Sequence, residues 1–234
     1  MTQPLLSTLG DELLDHPDAD PAAVASSLRH IAVANRWFGG WWAVRRGLER
    51  VTRRLGEPAA RLTVLDVGCG AGDLAAKAVV WGARRGLQIV PVGLERHRAA
   101  AGLARRQRIL TLLGCAGGLP IRDKGVDIVL ASQLIHHLAP EAIVAFCQAA
   151  DRLARLGVVI ADLRRSPWAM AGFWMGSRAL GFDVATRADG LTSVRRGFRP
   201  DELRQLLARA GVPARVERSP GFRLVATWRP IQRP

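Results

Sequence analysis

The chain has 234 residues, is 49% hydrophobic and carries a formal net charge of +14, which suits one large domain, or a domain with a small cap, around a sizeable core. No apolar run is long enough to span a bilayer, and Met1 to Asp20 holds no Lys or Arg, which excludes the basic head of a signal peptide. The basic charge is almost all arginine, scattered through every segment with no basic tail. A compositional bias explains it as well as an RNA partner does, so nucleic acid is the weaker expectation, and a peripheral membrane contact stays compatible.

In chain order, Leu5, Leu6, Leu9, Leu13 and Leu14 form a short apolar stripe, interrupted by Pro17 and Pro21. A helix is predicted after Pro21, through Val24, Leu28 and Ile31. Asn35 to Trp42 then packs three Trp, one Phe and a Gly pair into eight residues, read equally as a hydrophobic anchor or as a cover over a ligand. Residues 43–56 read as an Arg-rich amphipathic helix, so that 1–56 is a helical N-terminal cap and 57–234 the main domain.

From residue 62 strands and helices alternate. Strands are predicted at about 62–67, 88–94, 108–113, 127–132 and 158–162, with helices at about 72–85, 97–106 and 140–153. An apolar insert at about 167–192 breaks the rhythm, read as one helix through Phe182 followed by a polar stretch over 183–193. A helix opened by Pro200 ends at Gly211, and strands at 214–218 and 222–228 flank a Ser219-Pro220-Gly221 turn. The expected class is α/β: Rossmann-like, doubly wound, a mostly parallel seven-stranded sheet with a C-terminal antiparallel hairpin and the helical N-terminal cap.

The stretch that organises this chain is Val64-Leu65-Asp66-Val67-Gly68-Cys69-Gly70-Ala71-Gly72-Asp73-Leu74, an apolar strand, a glycine-dense turn and a helix start. Ligands of open α/β sheets bind at such carboxyl ends. Gly68 and Gly70 fit a dinucleotide fingerprint, but the third position is Asp73, and no Gly-Lys-Ser/Thr follows as in a P-loop. Asp66 at the strand end would repel a phosphate and suit an ammonium or sulfonium. Glu95 ends the second strand, 25 residues after Gly70, where an acid accepts hydrogen bonds from a ribose diol.

The run Leu65-Asp66-Val67-Gly68-Cys69-Gly70-Ala71-Gly72 resembles motif I of the class I S-adenosylmethionine-dependent methyltransferases. That resemblance covers about 60–230 and implies S-adenosylmethionine as cofactor and S-adenosylhomocysteine as product. It implies cofactor contacts from Asp66, Gly68, Cys69, Gly70 and Glu95, with Arg96 near the adenosine; if the Trp-rich run is a cover over the ligand, Arg36 lies on a carboxylate. Leu113-Gly114-Cys115-Ala116-Gly117-Gly118-Leu119-Pro120 resembles the family's Gly-Asp-Ala-x-x-Leu-Pro segment, with Cys115 in place of the Asp that contacts adenine. A thiol is a poor acceptor, so recognition at Cys115 and Ala116 leans on the backbone. Ser132 and Gln133 enter the loop that faces cofactor and acceptor.

That loop continues to Ile135-His136-His137-Leu138, similar to the end seen in small-molecule members of the ubiquinone and menaquinone biosynthesis type. His136 or His137 is the candidate general base; the alternative is a backbone-bonded histidine beside a packed one. Neither the Asn/Asp-Pro-Pro-Tyr of nitrogen methyltransferases nor the Pro-Cys of cytosine C5 enzymes is present, and the chain has no tyrosine. Arg164 or Arg165 after the fifth strand reads as an anion holder or a solvated charge. Trp37, Trp168 and Trp174 are expected to enclose the substrate. No metal is expected, because Cys69, Cys115 and Cys147 lie far apart without ligand spacing; as free thiols they suit a reducing, cytoplasmic setting. The expected reaction is O-methylation of a small, partly apolar phenolic metabolite in secondary-metabolite or quinone biosynthesis, by a monomer or homodimer. RNA or protein methylation, and cofactor binding without transfer, are the alternatives.

Overall fold

The computed structural model describes residues 12–16, 18–53, 55 and 61–231. Leu5, Leu6 and Leu9 of the leucine stripe lie outside the described residues. Two helices come first, α1 (Pro21–Trp37) and α2 (Gly40–Thr52). Asp20 caps α1 by accepting the Ala23 N–H at 2.9 Å, and Pro21 occupies a first turn where no N–H is needed. The alternation follows: β1 (Arg61–Val67), α3 (Asp73–Ala83), β2 (Gln88–Glu95), α4 (Arg98–Arg106), β3 (Leu110–Leu113), β4 (Val126–Ser132), α5 (Pro140–Leu153) and β5 (Ala154–Leu163). Then come α6 (Pro167–Ala179), α7 (Val184–Arg196), α8 (Pro200–Arg209), β6 (Arg215–Ser219) and β7 (Arg223–Trp228).

The strands form one sheet in the order β3-β2-β1-β4-β5-β7-β6. It is parallel except for β7, which runs antiparallel to β5 and to β6, as the α/β reading with a terminal hairpin expects. All seven residues of β4 are buried, the mark of a strand covered on both faces. On one face α5 and α8 supply Phe146, Leu203 and Leu207. Full burial of each such side chain is worth about 1.5–3 kcal/mol. On the other, α2 and α3 supply Leu48 and Trp81.

Register decides what reaches the ligand edge. Val67 lies opposite both Leu94 and Ala131, and Ala131 opposite Ile160. Gly68, Glu95, Ser132 and Asp162 therefore emerge along one carboxyl edge. Across it lies α1, whose Val24 and Leu28 pack on Ala100 of α4.

Two expectations are corrected. The helix expected over 43–56 as part of the cap starts at Gly40, and it lies on the sheet instead. Its apolar stripe Ala43, Val44, Leu48 and Val51 is buried, and a Cβ at Gly47 would sit 2.2 Å from Val159 Cγ1, so glycine sets the close approach to β5. The insert expected as one helix is two. The chain turns at Gly181, with φ of +69°, and Asp183 caps α7 by accepting the Thr186 N–H at 2.7 Å. Residues 184–196 are helical, and the polar side chains of Thr186, Asp189 and Ser193 face the cavity.

Candidate active site

The β1–α3 turn sits beneath α1. Gly70 adopts φ of +55°, and a Cβ there would come within 3.2 Å of Leu28 Cδ2. Glu95, 8% exposed, anchors the turn: Oε2 accepts the Gly70 N–H and Oε1 the His97 N–H, each at 2.9 Å. A carboxylate has about four lone-pair sites, so Glu95 keeps acceptor capacity for a diol. Gly68, Cys69, Gly70, Glu95, Cys115, Ala116, Ser132 and Gln133 all line one cavity of about 440 Å³, a volume in the small-molecule range.

Three expected cofactor contacts are placed differently. Asp66 does not line the cavity but lies 2% exposed under the turn. Burial, then the neighbouring Asp73 and Glu95 carboxylates, push its carboxyl up to about 8, so it is largely protonated at neutral pH without a cation beside it. Arg36 points away, its guanidinium 5.6 Å from the Trp37 ring centroid. Arg96 lines the cavity with its guanidinium turned to the Leu14 carbonyl at 2.5 Å and Asp15 at 3.2 Å. Cys69 is no nucleophile: burial, with Asp66 and Glu95, raises its thiol far above neutrality.

Asn35 emerges as a node that sequence reading quoted only within the Trp-rich run. It is 1% exposed and accepts from Gln133 Nε2 at 2.6 Å, while its own amide donates to Asp73 at 3.2–3.3 Å. It thereby ties α1, the β4 loop and α3 over the cavity. Gln133 has φ of +52°, an uncommon conformation for a residue with a Cβ and one that recurs at functional sites.

The two histidines form a short 3-10 turn with Ile135, and the structure treats them differently. His136 is 2% exposed, and its Nδ1 lies 2.6 Å from Oδ1 of the fully buried Asp162. Asp162 also accepts the Ile135 N–H at 3.0 Å and the Leu163 N–H at 2.7 Å. Burial pulls its carboxyl upward, but the pairing with His136 and the Leu163 N–H outweigh that and hold it below the usual range. An ionised carboxylate only accepts, so Nδ1 is the nitrogen that donates to Asp162 and Nε2 is the one left for another partner. Nε2 is buried without a hydrogen-bond partner on a residue of the cavity wall. Asp162 ends the strand expected at 158–162, and the signal that marks it in the sequence is an acid on the ligand edge, one strand from the histidines.

His137 stacks on His136 with ring centroids 4.2 Å apart, and is tied to the N-terminal segment instead. Its Nδ1 lies 3.2 Å from Asp15 and its Nε2 3.9 Å from Glu12. Arg196 of α7 closes this latch at 3.2 Å from Glu12 and 3.0 Å from Asp15. Glu12, His136 and His137 bring ligand atoms within 4.8 Å of one another, a donor set that divalent metals use. The Arg196 guanidinium already on Glu12 opposes a cation there.

The expected tryptophan enclosure is not what walls the cavity. Trp37 is 64% exposed, Trp168 76% and Trp174 49%, and none lines it. Phe173, next to Trp174 in α6 and about a quarter-turn round the helix from it, does so with Phe182, Leu163 and Val194. The helical period turned the largest aromatics outward. Arg164 is also off the wall, its guanidinium 5.1 Å from the Phe222 ring centroid.

Known proteins similar to this chain include methyltransferases. The family model described as a methyltransferase domain matches residues 64–157, from β1 into β5. A demethylmenaquinone methyltransferase from Roseiflexus castenholzii is 29% identical over 179 residues, covering 71% of this chain and 74% of that one. An uncharacterized methyltransferase from Mycobacterium tuberculosis is 35% identical over 103 residues, 44% of this chain; the match spans 41% of that relative's length. The crystal structure of a SAM-dependent methyltransferase from Aquifex aeolicus superposes with a TM-score of 0.59 at 15% identity, over 89% of this chain and 97% of that one, which shows the shared fold.

Proposed function

We propose that the chain is a class I S-adenosylmethionine-dependent methyltransferase that methylates a phenolic or other acidic hydroxyl oxygen on a small, partly apolar aromatic metabolite. The observation that carries this reading is the buried His136–Asp162 pair, with Nε2 of His136 bare beside the cavity. The pathway we assign is secondary-metabolite or quinone biosynthesis, in keeping with the name of the Roseiflexus relative. The three free cysteines fit the cytoplasm as its compartment. Among the described residues no helix is long and apolar enough to cross a membrane.

The site fits the cofactor. Glu95 keeps acceptor capacity for the ribose, the Gly70 turn leaves open backbone, and the Asp66, Asp73 and Glu95 carboxyls cluster where a sulfonium is favoured. When bound, S-adenosylmethionine supplies a methyl group already activated for transfer. Gly68, Gly70 and Gln133, with Asn35 above, would hold and orient it. A phenol, with an ordinary pKa near 10, is neutral at pH 7, so its proton must leave as the oxygen attacks. His136 Nε2 takes that proton. Asp162 fixes the receiving tautomer and balances the imidazolium that forms. Phe173, Phe182 and Leu163 keep water from competing with the acceptor.

The test uses methyl-labelled S-adenosylmethionine with purified protein and cell extract, split into small-molecule, RNA and protein pools. Label is expected in the organic-extractable pool. Asp162→Asn and His136→Asn should each lower transfer by about 10²–10⁴-fold while S-adenosylhomocysteine binding is retained. Label in RNA or protein, or full activity in His136→Asn, overturns the reading.

A further inference from the structure

Arg223 opens β7 opposite Leu163, at the same carboxyl edge as the histidine pair. It is 3% exposed, yet it belongs to the cavity wall. Its Nε donates to the Phe38 carbonyl at 3.0 Å, which fixes the guanidinium plane. Its Nη1 is buried with no hydrogen-bond partner. A guanidinium cannot shed its charge at neutral pH, and a buried charged donor left bare is costly. The buried carboxylate within electrostatic range is Asp162, whose oxygens serve Ile135, Leu163 and His136. It offsets the charge of Arg223 and leaves Nη1 without an acceptor.

Place decides what the missing acceptor is. Along the sheet edge Glu95 and Arg223 are separated by four strand spacings, about 19 Å at about 4.8 Å each. A ligand held by its ribose at Glu95 passes β1 and β4 first, and Arg223 is two strands farther along the edge. Arg223 pairs with Leu163 and shares the cavity wall with the apolar Phe173, which suits the acceptor.

We propose that Arg223 binds the ionised hydroxyl oxygen of the methyl acceptor, and so selects acidic phenols. The inference rests on the methyl-transfer reading. It closes the charge balance of the pocket. Before reaction, Asp162 and Arg223 cancel, while His136 and the hydroxyl are neutral. When the proton moves from the acceptor O–H to His136 Nε2, the imidazolium forms against Asp162 and the phenolate against Arg223. Each new charge is met by an opposite one already in place, the arrangement that lowers a barrier most in a dry site. The net charge of +14 further favours approach of anionic forms.

The experiment uses 4-nitrophenol, whose phenolate is coloured and which titrates near neutrality, bound to the S-adenosylhomocysteine-loaded protein. Its ionisation is followed by absorbance against pH. The bound probe is expected to titrate about one pH unit lower than the free probe, a tenfold gain in ionisation. Arg223→Met should abolish that shift, and Arg223→Lys, which keeps the charge, should restore part of it. Unaltered S-adenosylhomocysteine affinity shows that both variants fold. An unchanged shift in Arg223→Met overturns the assignment. So does tenfold weaker S-adenosylhomocysteine binding with the probe's titration unaffected, which gives Arg223 to the cofactor carboxylate instead. No binding of the probe overturns it together with the phenolic acceptor class. His136→Asn separates the two readings: it should lose transfer and keep the probe's shift. Loss of transfer there, with Arg223→Met silent, removes Arg223 and leaves the base standing.

Discussion

Replacing Asp66 by Asn tests the electrostatics of the glycine turn. The folded chain buries this carboxyl among Asp73 and Glu95, raising it from 3.8 to about 8. An acid raised in this way holds its proton longer folded than unfolded. Its contribution to stability is full below about pH 3.8, declines by about 1.4 kcal/mol per pH unit as the pH rises towards about 8, and is level above that. The ceiling on the whole loss is about 6 kcal/mol. Asn has the same shape without the ionisation, so Asp66→Asn should gain up to about 4 kcal/mol on the wild type between about pH 5 and pH 8. The assay is urea unfolding of both proteins at several pH values, followed by tryptophan fluorescence. Subtracting one curve from the other cancels the groups they share. A stability difference that does not change with pH would refute the reasoning. A functional corollary is read by calorimetry. A sulfonium favours ionised Asp66, so the preference for S-adenosylmethionine over the uncharged S-adenosylhomocysteine should grow between about pH 6 and pH 9 in the wild type and stay constant in the variant.

Gly72, at φ of +80°, has no room for a Cβ, which would stand 2.3 Å from Ile109 Cδ1. Gly72→Ala should therefore cost about 1–3 kcal/mol in backbone strain alone, read by thermal unfolding, and a neutral substitution would contradict the turn geometry. Arg196→Met should free the Glu12–Asp15 segment from α7 and His137. Faster amide exchange over 12–16 and faster S-adenosylhomocysteine dissociation are expected, and unaltered exchange would show that the latch holds nothing.

The parts of this protein written in local sequence were legible. Strand runs such as Ile128-Val129-Leu130-Ala131 and the Gly68–Gly72 turn announce themselves by apolar pattern and by residues that few other conformations require. So does Glu95, because the end of the second strand is a fixed place in this topology. Residue type alone did not say which way a side chain faces. The size of Trp37, Trp168 and Trp174 suggested an enclosure, but the period of α6 points Phe173 inward and Trp174 outward. Asp66 reads in the sequence as a counter-charge to a cationic ligand, and the register of β1 between β2 and β4 puts it under the turn.

The sequence by itself determined the sheet, the order of its elements and the glycine turn, since these follow from short-range periodicity and backbone freedom. Only the tertiary structure decided which of two adjacent histidines is buried against a carboxylate. His136 and Asp162 are 26 residues apart, and Arg223 lies 61 residues beyond Asp162. They meet because β4, β5 and β7 are neighbours in the sheet and end at one edge. That meeting depends on strand order and burial, which no local stretch of the chain encodes, and the proposed chemistry rests on it.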